Sequence, residues 1–192
     1  MFRRWDPLLP RKNYTMNKIK AILVSLLLLV CAWGYGQTTT AIDVPKDSKL
    51  LLHVFGKGVQ IYVCSPTAGD SSRYMWTLRE AKAELYASDA YRDVAGKHYF
   101  NAEHRPVWEG VDGGKVVGNK LRQADAPIAG AVPWLLLQAV SAPDAGVLKG
   151  TTLIQRVNTN GGKAPASGAD ASHKGQTIQV AYTAEYLFYT GS

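Results

Sequence analysis

Beyond residue 37 no stretch of the chain sustains the 3.6-residue apolar period of an amphipathic helix; apolar positions recur instead every second residue in short runs. The clearest run comes last. Ile178, Val180, Tyr182, Ala184, Tyr186 and Phe188 share one face of a long strand, with Gln179, Thr183 and Glu185 on the other. A strand this apolar is expected to be central in its sheet. Residues 152–159 alternate before the turn signal Asn160-Gly161-Gly162. Near the other end, an apolar run at 50–55 and the alternating Val59, Ile61 and Val63 flank Gly56-Lys57-Gly58, which reads as the turn of a hairpin. Tyr74, Trp76 and Leu78 mark a further strand. Val107-Trp108 and Val116-Val117 flank the glycine-rich residues 110–114 as a second hairpin. Residues 81–87 and 134–140 suit a strand or a short helix, and period alone does not choose. Residues 163–175, rich in Ala, Ser and Gly, read as a mobile loop, and 37–49 as a loose polar entry segment. Short strands punctuated by glycine turns predict an all-β domain over residues 50–192, an antiparallel sandwich or barrel.

The region before it has a different pattern. In residues 16–36 (MNKIKAILVSLLLLVCAWGYG), Lys18 and Lys20 precede an uncharged apolar run of about 13 residues, the length of a signal-peptide core and too short to cross a bilayer. Gly34 and Gly36 supply small residues for cleavage, expected before Gln37. The product is expected to be secreted or periplasmic. Residues 1–15 read as an extended leader or as a start assigned too early, with Met16 the expected start. No second apolar run of membrane-spanning length follows.

Removing that leader changes the charge. The whole chain carries a net +7, but six of its 22 Lys and Arg and one of its 15 Asp and Glu precede residue 37. The remainder has 16 bases and 14 acids, a net of +2. Without a basic run, a nucleic-acid partner is not expected. Cys31 leaves with the leader, so Cys64 remains as a lone thiol in an oxidising compartment. It is either buried or free to pair between chains, giving a monomer or a Cys64-linked dimer.

Six segments in order carry a family resemblance: GVQIYVC at 58–64, GKHY at 96–99, PVWE at 106–109, VPWLLL at 132–137, IQRVNT at 154–159 and YTAEY at 182–186. Together they resemble a family of secreted bacterial and fungal proteins known as a domain of unknown function, the DUF3455 group. The resemblance spans about residues 50–189 and implies a single exported domain without implying a mechanism. It also implies a second cysteine where this chain has Ala169. If that cysteine ordinarily bridges to the one matching Cys64, the cross-link is lost here.

Several constellations bear on chemistry. His98, His104 and Asp112 offer imidazole and carboxylate ligands for a metal-dependent hydrolase, although their spacing matches no standard metal signature and equally suits a solvated loop. Glu103, Glu109 and Asp112 offer carboxylate pairs of a kind common in any secreted domain. No G-x-S-x-G elbow is present, and Cys64 has no basic neighbour in sequence to activate it. Arg156 stands mid-strand between apolar residues, where an Arg can clamp a ligand or simply face solvent; Asn158 follows two places on along the expected face. Trp76, Trp108 and Trp134, with the tyrosines of the last strand, suit either a core or an aromatic platform for sugars or other flat ligands. No motif calls for a cofactor. The preferred reading is a β domain binding a small ligand or an extracellular partner through His98, Trp108, Asp112, Arg156 and Asn158. The alternative is a secreted enzyme, and catalysis is left open.

Overall fold

The computed structural model describes residues 41–191. The expected leader at 16–36, the stretch before it, Cys31 and the cleavage position lie outside the described residues. Eight strands follow in order: β1 Lys49–Thr67, β2 Asp70–Tyr86, β3 Val94–Phe100, β4 Pro106–Gly110, β5 Lys115–Ala124, β6 Trp134–Ser141, β7 Leu153–Gly161 and β8 Thr177–Thr190. Each pairs antiparallel with its successor, and β8 returns to pair with β1, giving a closed up-and-down barrel. Closure decides between the two expected architectures in favour of the barrel, and it leaves β8 paired on both sides. Both ambiguous segments are strand: 81–86 finishes β2 and 134–141 forms β6. No helix among the described residues is long and apolar enough to cross a membrane.

One expected turn is absent. Gly56-Lys57-Gly58 runs straight through β1, which pairs across this stretch with β2 on one side and β8 on the other. The glycines answer a need for space, not for a positive φ. A Cβ on Gly58 would fall 2.0 Å from the Lys82 carbonyl oxygen and 2.5 Å from Ala83 Cα, and one on Gly56 would meet the Tyr186 ring at 2.7 Å. Strand β2 and the Tyr186 ring approach β1 so closely here that only hydrogen fits. The reversal comes later, at Gly69 with φ 82°, so β1 and β2 form one long hairpin. The second hairpin, β4 to β5, turns at Gly113 with φ 82° as its glycines predict.

The inner faces pack one core. Trp108, Tyr186 and Phe188 are fully buried and meet edge to face, with ring centroids 5.5 and 5.9 Å from Trp108. Val54, Leu85 and Ile154 pack in the same cluster. Burying each large apolar side chain contributes roughly 1.5–3 kcal/mol. Alternation in β8 delivers Tyr182, Ala184, Tyr186 and Phe188 to this interior, while Ile178 and Val180 reach a second cluster.

That second cluster sits where β1, β2 and β8 outrun the shorter strands. Tyr62, Cys64 and Trp76 form it, covered by Ala164 and Ala169 from the segment expected to be a mobile loop. The segment is instead fastened down. Trp76 Nε1 donates to Ser167 O at 3.1 Å, and Gly175 N donates to Cys64 O at 2.9 Å. The Asp170 side chain caps a short 3-10 turn at Ala171–His173. Its small residues let the backbone lie close to the indole, so the composition that suggested mobility serves packing. The entry segment is likewise anchored, since Ile42 is buried and its carbonyl accepts from Gln155 Nε2 at 2.7 Å. Cys64 is a free thiol, 1% exposed, with Sγ 3.5 Å from Asp170 O. Forming a Cys64-linked dimer would require this cover to lift.

Two outcomes follow from the packing. Gly58→Ala is expected to destabilise the barrel by about 1–3 kcal/mol, read as a lower urea midpoint; an unchanged midpoint would contradict the close approach of β1 and β2. Ala169→Cys, packed against the cluster that contains Cys64, is expected under oxidising conditions to close a long loop and stabilise by roughly 2–4 kcal/mol, with no gain when reduced. Both thiols still reacting fully after oxidation would contradict it.

Candidate ligand cavity in the barrel

Strand register brings three of the candidate residues together. Arg156 on β7 lies opposite Leu135 of β6 and Tyr186 of β8, and His98 on β3 lies opposite Trp108 of β4. All five line a cavity of about 400 Å³ that opens at the barrel end carrying the β3–β4 loop. Phe100, Leu137 and Gly118 complete its apolar wall. Gly118 makes room for the indole, because a Cβ there would sit 2.9 Å from Trp108 Cζ3.

His98 is 3% exposed and stacks on Trp108 at 4.7 Å with an interplanar angle of 18°. Its Nδ1 lies 2.8 Å from the Val107 carbonyl oxygen. A carbonyl only accepts, so Nδ1 carries the proton, and in the neutral ring Nε2 presents a lone pair. Burial pushes the His98 pKa down to about 3; the Val107 bond opposes this and the nearby Arg156 charge adds to it. His98 is thus a neutral acceptor at physiological pH.

Arg156 donates through Nε and Nη2 to the Pro133 carbonyl at 3.1 and 2.8 Å. No ion pair joins it to a carboxylate among the described residues, while its charge reaches Tyr62, His98, Tyr182 and Tyr186. Burial raises the pKa of Tyr186 and raises that of Tyr182 strongly, so both hydroxyls stay protonated; they lie 3.2 Å apart. The indole N–H of Trp108 is buried without a hydrogen-bond partner.

The remaining candidates lie elsewhere. Asn158 does not share the face of Arg156. The β7–β8 register shifts between Val157 and Asn160, Asn158 takes φ 48°, and Thr159 turns inward in its place, 0% exposed. Asn158 Nδ2 instead donates to Glu185 Oε1, on the face where Glu185 Oε2 meets His53 at 2.8 Å. His104, with φ 56°, is exposed in the β3–β4 loop at the cavity rim. Asp112 is in the β4–β5 turn, at the opposite end of the barrel. Its carboxylate accepts from Val147 N at 3.0 Å and Gly114 N at 3.1 Å, and these bonds hold its pKa below the usual range. His98, His104 and Asp112 therefore do not converge, and no group of three or more potential ligands from His, Cys, Asp and Glu occurs among the described residues. Glu109 is occupied by Tyr99, Lys97 and Lys115. The three tryptophans do not form one platform either, since Trp76 belongs to the second cluster and Trp108 to the core.

Nothing in the sequence singles out Leu135, Leu137 and Gly118 as cavity residues. Their only signal was strand alternation, which marks an inward face without separating core from cavity. A broader depression of about 600 Å³ on the β2–β3 side lies open, and its Lys82 is paired with Glu80 at 3.5 Å. Of the two, only the barrel cavity reaches into the core and holds an Arg that no carboxylate neutralises.

A family model for a protein of unknown function, DUF3455, matches residues 45–190. The chain belongs to the DUF3455 family. The matched region begins just before β1 and ends with β8, so in this chain the DUF3455 domain takes in all eight strands of the closed barrel. No curated protein matches the sequence.

His98 gives this DUF3455 barrel a definite acid response. The unfolded imidazole protonates near pH 6.5 and the folded one near 3, so below about 6.5 the unfolded chain holds the extra proton. The stabilisation is complete above pH 6.5 and drains by roughly 1.4 kcal/mol per unit as pH falls toward 3. Denaturation between pH 6.5 and 5 is expected to show this slope, and His98→Phe to flatten it. Equal slopes in the two proteins would contradict a buried neutral His98.

Proposed function

We propose that this DUF3455 protein is an exported, non-catalytic binding barrel that holds a small, mainly apolar molecule in its interior. Export rests on the pattern of residues 16–36. The binding reading rests on one observation above the rest, a half-open, mainly apolar cavity into which the barrel brings Arg156 with no carboxylate to neutralise it. An eight-stranded barrel is just wide enough to be filled by side chains or to accommodate one small ligand. Here Gly118 and the alternation of aromatic and aliphatic walls leave about 400 Å³ open, within the range of small-molecule sites. The metal-dependent hydrolase reading needs His98, His104 and Asp112 at one point, and two of them lie at opposite ends of the barrel.

The neutral fluorophore N-phenyl-1-naphthylamine tests the reading without presuming the ligand's charge. It is expected to brighten with saturable, one-to-one stoichiometry on the native protein. Leu135→Trp, which adds bulk at the half-buried cavity wall, is expected to abolish that signal while circular dichroism and melting stay native-like. No saturable binding by the wild type, or undiminished binding by a folded Leu135→Trp, would overturn the reading.

A further inference from the structure

We infer that the interior site selects a monocarboxylate with an apolar body and seats the carboxylate on Arg156; this rests on the reading of the barrel interior as a ligand site. The charge of the lining points to an anion. Arg105, Lys120 and Arg156 line the cavity, and no Asp or Glu does. Arg105 and Lys120 are exposed and hydrated at the rim, whereas Arg156 is half-buried within the wall. Two of a guanidinium's five N–H donors are occupied here by the Pro133 carbonyl and Tyr186 lies within reach of another, which still leaves donors for a guest. A cation drawn out of water beside apolar walls is costly without a counter-charge, and the planar fork of Arg matches the two oxygens of a carboxylate.

The neutral groups agree with that polarity. Tyr186 keeps its hydroxyl proton and lies close enough to Arg156 for a hydrogen bond to it to oppose the rise in its pKa. The Trp108 N–H has no partner. Asn119 and Gln123 at the mouth offer both donors and acceptors, and the His98 Nε2 lone pair accepts, so the polarity of the lining is set by its positive charge. A negatively charged oxygen pair satisfies donors of this kind, and a cationic or purely donating guest does not.

The number of charges follows from burial. Only one cation is set into the wall, so a second negative charge on the guest would be desolvated without compensation. That favours a carboxylate over a phosphate monoester, which approaches two charges at neutral pH. The guest's body meets Phe100, Trp108, Leu135 and Leu137. These surfaces suit an aliphatic or aromatic chain and offer little to a sugar or a peptide.

Displacement of N-phenyl-1-naphthylamine by octanoate, 1-octanol and octyl phosphate tests the inference with one chain length throughout. Octanoate is expected to displace the dye about tenfold or more better than either of the others. Arg156→Met is expected to bring octanoate down to the level of 1-octanol while 1-octanol itself stays within about twofold. Arg156→Lys, which keeps the charge and loses the fork, is expected to cut the octanoate preference severalfold, and it carries the test should Arg156→Met fail to fold. The inference is overturned if 1-octanol or octyl phosphate matches octanoate, if a folded Arg156 variant keeps the full preference, or if the dye binds and octanoate does not displace it. A wild-type protein that binds no dye at all would instead strike at the interior site itself.

Discussion

Closure of β1 onto β8 is the constraint from which the rest of the molecule follows. A barrel has no free edge only if one strand accepts partners on both sides, and β1 does so through its middle, with Gly58 opposite both Ala83 and Tyr182. At Gly58, β2 approaches so closely that only a hydrogen atom fits between the strands. Gly56 and Gly58 supply the room, and the Tyr186 ring occupies part of it. A side chain at Gly58 would meet the β2 backbone and one at Gly56 the Tyr186 ring, so one short stretch of β1 limits both strand pairing and core packing. Backbone pairing and core packing are thus one interaction seen from two sides.

A closed interior changes the chemistry of what faces it. His98 is held neutral because burial disfavours its charge, and the nearby Arg156 disfavours it further. Tyr182 and Tyr186 keep their protons for the same reason, the charged form being the one that burial penalises. The net result is a cavity with one positive charge set into its wall, two more at its rim and no acidic side chain in its lining. Solvated on an open sheet, the same residues would carry little information. Exclusion of water turns Arg156 from one base among many into a charge that selects.

The all-β class was legible because β8 alternates without interruption, and the β4–β5 hairpin was legible because glycines at a turn have a characteristic spacing. Closure was not legible, since pairing β1 with β8 is a contact between the two ends of the domain and leaves no local trace. Gly56-Lys57-Gly58 misled because a glycine needed for close approach and one needed for a turn look identical in sequence. Residues 163–175 misled similarly, since small side chains suit both a mobile loop and a backbone laid flat on Trp76. Among the candidate residues, His98, Trp108 and Arg156 were visible as polar or aromatic side chains inside alternating strands. Their meeting was not visible, because it depends on which strands are neighbours. Asn158 illustrates the limit most sharply. A single bulge reverses the parity of β7 after Val157, so a residue two positions from Arg156 faces outward beside Glu185.

Cross-strand proton contacts measured by nuclear magnetic resonance on the folded protein test closure most directly. The account predicts that Gly58 shows close contacts to both Ala83 and Tyr182 within one monomeric molecule, and that Phe55 shows them to both Tyr86 and Glu185. Contacts from β1 to β2 alone, with β8 amides exchanging rapidly on their β1 side, would mean an open sheet and would contradict the enclosed interior on which the rest depends.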